Sequence, residues 1–159
     1  KSAGPYNNKW NILHFLFQKF SGQLRLTMWQ ETIEMLKAHP LQGGGWANYQ
    51  SAVFPYHTLQ WAEIYLYPHN IFLNFWTETG LLGLLSFLAL VAYFFVRGFV
   101  LWLSSRSPLV KTALIAMMVL LVHGLVDVPY FKNDLSVVFW LIIEIIVLEE
   151  KRSLRDTLK

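Results

Sequence analysis

The chain has 159 residues, 55% of them hydrophobic and 16% aromatic, with 14% charged, no cysteine and a net charge of +3 from 13 Lys+Arg against 10 Asp+Glu. An ordinary soluble domain carries roughly a quarter of its residues as charges. Disorder is excluded by the apolar mass and a disulfide-stapled secreted module by the missing cysteines, which leaves an all-α integral membrane protein as the expected class.

In chain order, Lys9 to Phe20 places Trp10, Leu13, Phe17 and Phe20 at helical spacing, a pattern for a helix lying in a headgroup region or packed on neighbouring protein. Ser21 and Gly22 break the pattern. Leu24 to His39 reads as a second amphipathic helix, with Leu26, Trp29, Ile33 and Leu36 on its apolar arc and Pro40 as its stop. Arg25, Trp29, Thr32 and Leu36 fall in one narrow sector, so Arg25 is expected at the edge of the packed face. Gly43, Gly44 and Gly45 form a hinge or tight loop, too short for a phosphate loop without the lysine and hydroxyl that would follow. Seven aromatics follow before Pro68 (Trp46, Tyr49, Phe54, Tyr56, Trp61, Tyr65 and Tyr67), the composition of an interfacial belt or of a sugar-stacking surface.

Thr79 to Val96 is a run of eighteen residues without formal charge, long enough to nearly fill a hydrocarbon core of roughly 30 Å. Two further apolar runs, 109–126 and 135–150, complete an expected set of three transmembrane helices, the first taken as 71–103. The connection 104–108 and the tail 151–159 lie among Arg97, Arg106, Lys111, Lys151, Arg152, Arg155 and Lys159. Basic loops stay in the cytoplasm. Residues 1–70 and 127–134 are therefore expected outside it. His123 and Asp127, four apart near the end of the second run, read as a structural pair somewhat more readily than as a catalytic dyad.

Three pieces stand in order: an arginine helix (Arg25, Trp29) closing on His39-Pro40-Leu41 and Gly43 to Gly45, then His69-Asn70, then Gly80 and Gly83 after nine intervening residues. Together they resemble the O-antigen ligase and polymerase family of bacterial membrane glycosyltransferases. The resemblance covers roughly Ser21 to Val96, and the three expected spans, with a first residue that is not methionine, fit the C-terminal part of such a larger polytopic protein. It implies transfer of a glycan from an undecaprenyl-pyrophosphate carrier to an acceptor hydroxyl (on a glycan, a lipid core or a protein) at the outer face of the bacterial cytoplasmic membrane. No cofactor, metal or nucleic acid is expected, and no Asp-x-Asp pair is present for a carboxylate-bound divalent ion.

The residues suit that chemistry. A guanidinium meets the charge that develops on pyrophosphate oxygens, a role expected of Arg25. A histidine accepts the proton of an attacking hydroxyl near neutral pH, a role expected of His69. Trp29, Asn70, Glu78, Gly80 and Gly83 are the expected substrate-binding set; Asn70 and Glu78 position substrate or hold His69, and the two glycines admit another helix or a lipid chain. The rival class is a non-catalytic membrane protein, such as a transporter fragment or complex subunit, in which Arg25 and His69 are replaceable without loss beyond stability.

Overall fold

The structure is a computed structural model that describes residues 6–59, 62–131 and 133–157, with the side chains of 6–21, 131, 133, 134 and 157 outside the description. The expected packing of Trp10, Leu13, Phe17 and Phe20, and the place of Trp61, therefore lie outside the described residues. Among the described residues the fold is all helical, with no strand. Five α-helices follow one another: α1 (Tyr6–Ala38), α2 (Tyr49–Val53), α3 (Ile71–Ser105), α4 (Pro108–His123) and α5 (Asn133–Thr157).

The core of the bundle is written in heptad-like steps. Phe87, Phe94 and Leu101 of α3 meet Val110, Ala113, Met117 and Leu120 of α4 and Phe139, Ile142 and Ile146 of α5. These positions recur every three, four or seven residues, which keeps each set on one helix face. Gly98 lets the three helices close: a Cβ there would stand 2.8 Å from Leu114 Cδ2 and 3.4 Å from Ile146 Cδ1. On the opposite faces Leu82, Leu85, Val96 and Phe99 of α3 and Ile115, Val119 and Val122 of α4 stay exposed. Helices apolar on every face belong in lipid or beneath further protein. Among the described residues one helix, Ile71–Ser105, is long and apolar enough to cross a membrane; α4 is a shorter apolar helix.

Several expected boundaries shift. The two amphipathic helices are one, because Ser21 and Gly22 continue the α1 backbone; a single glycine inside a helix costs only about 1 kcal/mol against alanine. The apolar arc of α1 is also turned. Leu26 and Ile33 are exposed, whereas Met28, Glu31, Thr32, Met35 and Leu36 are buried, so two polar side chains occupy the packed face. The second apolar run ends as a helix at His123 rather than at 126, and α5 continues through the expected tail as far as Thr157.

The largest departure is at Gly80, whose φ of 71° and ψ of −175° break α3 into the segments 71–79 and 81–105. The ring of Phe75 stacks on that of Phe87, centroids 4.0 Å apart and planes 15° apart. Twelve residues span about 18 Å along a straight helix. The two segments must therefore fold sharply toward each other about Gly80, and the first returns Ile71 to the end of α4, where the amide of Ile71 donates to Gly124 O at 2.7 Å. Gly124 has no room for a side chain, since its Cβ would lie 2.7 Å from Ile71 Cγ2.

Candidate active site

The break at Gly80 leaves two backbone groups without their helical partners, the Thr77 carbonyl and the Leu81 amide. The loop after α1 takes both. Leu81 N–H donates to Leu41 O at 3.0 Å, while the amides of Gly44 and Gly45 donate to Thr77 O at 2.8 and 3.0 Å. The Trp76 indole adds a bond to Pro40 O at 2.7 Å, and Glu78 Oε2 accepts from the Ala47 amide at 2.5 Å. Glycine is required where the backbones meet: a Cβ on Gly43 would stand 2.3 Å from Trp76 O, and one on Gly80 2.3 Å from Leu41 O. Gly83 sits under Thr79, whose Oγ1 would be 1.9 Å from an added Cβ. The close approach at Gly80 is thus made by the 41–42 backbone.

At its other end the 71–79 segment carries the His-Asn pair. Asn70 caps α3, with Oδ1 accepting the amides of Phe72 and Leu73 at 3.0 Å each, and its Nδ2 donates to Leu125 O at 3.0 Å. Together with the bond from Ile71 to Gly124, this zips residues 70–71 to 124–125 and brings His69 to Asp127. His69 adopts a left-handed φ of 48°, uncommon outside glycine and held here by the cap that follows it. Its Nδ1 lies 3.4 Å from Asp127 Oδ1, and the rings of Tyr65 and Tyr67 meet it edge-on at 5.4 and 4.8 Å. Among the described residues its Nε2 makes no hydrogen bond. The other oxygen of Asp127 faces His123 Nε2 at 3.6 Å.

Helix α1 is pinned to the same place. Trp29 Nε1 donates to Pro68 O at 2.8 Å, one residue before His69. Arg25 lies one turn earlier on the same sector, half-buried, and makes no hydrogen bond or ion pair among the described residues. Two buried polar groups explain how α1 is held so firmly. Glu31 accepts from the Thr58 amide and hydroxyl, both at 2.7 Å, and from His57 Nδ1 at 3.1 Å, while His57 Nε2 faces Ala62 O at 3.1 Å. Burial works against charge on Glu31, but the Thr58 bonds and His57 outweigh it and hold the carboxyl below its ordinary range. Burial likewise opposes the imidazolium of His57, and the Glu31 carboxylate with the Ala62 carbonyl outweighs it, so the His57 pKa is raised. Both ring nitrogens face acceptors, as an imidazolium requires. The next residue, Thr32, donates to Met28 O at 2.6 Å and accepts from the Tyr49 hydroxyl at 2.9 Å; burial pushes that phenol up to about 12.

Of the expected site residues, the structure brings His69 and Asn70 to the end of α4, with Trp29 and, one turn before it, Arg25 on the helix pinned there. Glu78, Gly80 and Gly83 sit at the far end of the 71–79 segment, where Glu78 and Gly80 hold the loop after α1 and Gly83 packs under Thr79. Sequence reasoning paired Asp127 with His123 alone; the contact with His69 spans 58 residues, and no local pattern announces it. The Glu31–His57 pair, 26 residues apart, is likewise unmarked by any local pattern.

A family model described as O-antigen ligase matches residues 8–88, just over half of the chain, and the chain belongs to that family. Membership implies a membrane protein and a glycosyltransferase-type enzyme of polysaccharide biosynthesis. No curated protein and no solved structure matches the chain significantly.

Proposed function

We propose that this O-antigen ligase family member transfers a glycan from an undecaprenyl-pyrophosphate carrier to an acceptor hydroxyl at the outer face of the cytoplasmic membrane. The observation that carries the reading is the His69–Asp127 pair: a half-buried imidazole whose Nδ1 faces a carboxylate at 3.4 Å while its Nε2 is left open. A carboxylate on Nδ1 fixes the tautomer in which Nε2 accepts a proton.

In the proposed step His69 Nε2 takes the acceptor hydroxyl proton and the acceptor oxygen attacks the anomeric carbon of the donor. The bond from that carbon to the pyrophosphate oxygen breaks, and the leaving undecaprenyl pyrophosphate carries the new negative charge. Asp127 stabilises the imidazolium of His69, and the Arg25 guanidinium meets the phosphate oxygens. Trp29 and Asn70 act by holding these groups together, Trp29 by tying α1 to Pro68 and Asn70 by tying α3 to Leu125. The membrane arrangement that goes with this reading is three crossings by α3, α4 and α5, with residues 1–70 and 127–134 on the outer side. In support, Arg97 and Glu150 form an ion pair between α3 and α5, as expected if the basic ends of these helices lie on one side.

The test is glycan transfer from a lipid-pyrophosphate donor by the full-length protein, with His69→Ala and Arg25→Ala compared at matched expression and with divalent metal chelated. Loss of product in both variants and chelator-resistant transfer by the wild type are expected. Undiminished transfer by either variant removes that residue from the chemistry, and absence of transfer by the wild type with glycan, lipid-core and protein acceptors overturns the reading.

A further inference from the structure

We propose that the loop from Leu41 to Trp46 is a lipid-contact element, whose Leu41 and Trp46 side chains seat among the phospholipids of the outer leaflet beside α3. The inference rests on α3 crossing the membrane as proposed above.

Leu41 is 75% exposed and Trp46 73%, among the most exposed apolar side chains of the described residues. The backbone that carries them is not loose. It is bonded to α3 through Leu41 O, Pro40 O, the amides of Gly44 and Gly45 and the amide of Ala47. These bonds fix the loop at the level of residues 76–81, where Glu78 is the last charged residue before the uncharged run of α3. At that height Leu82 is 77% exposed, and Leu85 follows one turn deeper. Leu41 and Trp46 therefore widen sideways the apolar surface that α3 presents from Leu82 onward. A leucine beside a tryptophan at the start of a span matches the outer interfacial zone, where an indole keeps its ring among acyl chains and its N–H in the headgroups.

Seating the loop has a consequence for the site. Its backbone completes the break at Gly80, and the arm beyond that break ends at Asn70 and His69.

The experiment places a bimane label on Leu41→Cys, Trp46→Cys and, as a reference within the span, Leu85→Cys, in a chain that has no cysteine of its own. Each variant is reconstituted into phosphatidylcholine nanodiscs containing lipids with doxyl groups near the headgroup or deep in the chain, and soluble iodide is the competing quencher. Labels at 41 and 46 are expected to be quenched by the shallow doxyl lipid more than by the deep one and to be shielded from iodide, with a blue-shifted emission. Iodide quenching at 41 and 46, with lipid quenching at 85, overturns the lipid contact and leaves the crossing of α3 intact. Labels at 41 and 46 reached by neither quencher are covered by protein, which also overturns it. No lipid quenching at 85 overturns the membrane placement of α3 itself.

Discussion

Leu81 donates its amide to the Leu41 carbonyl at 3.0 Å, the bond an unbroken helix would give to Thr77. The loop after α1 thus replaces one turn of α3, and the three ordered motifs of the sequence become parts of one joint: Pro40 to Gly45 on one side, Gly80 on the other, with Asn70 at the end of the arm.

Gly80→Ala is the sharpest test of that joint. The backbone at φ 71° and ψ −175° is open to glycine alone, and a Cβ would stand 2.3 Å from Leu41 O. Backbone strain of about 1–3 kcal/mol adds to the loss of the loop contacts, so the variant should lose a large share of its stability. Thermal unfolding in detergent, with limited proteolysis between residues 40 and 47, should show a lowered midpoint and early cleavage in that loop. An unchanged midpoint contradicts the joint.

Asn70→Ala removes an N-cap and the bond to Leu125 together. A cap is worth about 1 kcal/mol and a neutral hydrogen bond about 1 kcal/mol. Asn70→Ser retains a capping oxygen without reaching Leu125, and should recover about half of the stability but little of the transfer rate, because the tie that brings His69 to Asp127 stays broken. Equal recovery of both quantities would reduce Asn70 to a helix cap.

The outline of this joint was legible and its bend was not. Gly80 and Gly83 lie at the head of the uncharged run from Thr79 to Val96, and periodicity alone does not tell a glycine that kinks a helix from one that packs a neighbour. The spacing from His69 to Gly80 is nevertheless what the fold-back uses, since the arm between them is the segment that returns to α4. The buried face of α1 was misjudged for a different reason. Hydrophobicity alone assigns Leu26 and Ile33 inward, but His57 and Thr58 offer Glu31 three hydrogen bonds, and that polar contact draws Glu31 to the packed face. Partners 26 to 58 residues apart leave no local mark.

The Glu31–His57 pair gives the segment before α3 a pH signature. His57 has a raised pKa, so its contribution to stability is complete below the ordinary value of 6.5 and is lost as pH climbs through the raised one. Glu31 has a lowered pKa, so its contribution is complete above the ordinary 4.5 and is lost as pH falls through the lowered one. The pair therefore stabilises most between those two ordinary values and less on either side. Hydrogen exchange of the Thr58 amide against pH should follow this profile. His57→Gln should flatten the alkaline limb and keep the acidic one; an alkaline limb that persists in His57→Gln belongs to another group.

Asp127 separates a catalytic site from a structural one. If Asp127 serves His69 by holding Nδ1 and balancing its charge, Asp127→Asn keeps the shape and should cut kcat by about 100-fold or more, within the range general-base catalysis supplies, with little change in KM. His123 faces the same carboxylate at 3.6 Å but is more than half exposed, and an exposed pair of that kind is worth about 0–1 kcal/mol. His123→Ala should therefore leave kcat within a few fold of wild type. Steady-state transfer by Asp127→Asn and His123→Ala, measured beside unfolding midpoints, distinguishes the cases. A rate loss in Asp127→Asn at an unchanged midpoint is the catalytic outcome. If instead the midpoint falls in step with the rate, or His123→Ala costs as much as Asp127→Asn, the carboxylate acts as a tie between helices and the proton of the acceptor must leave by another route.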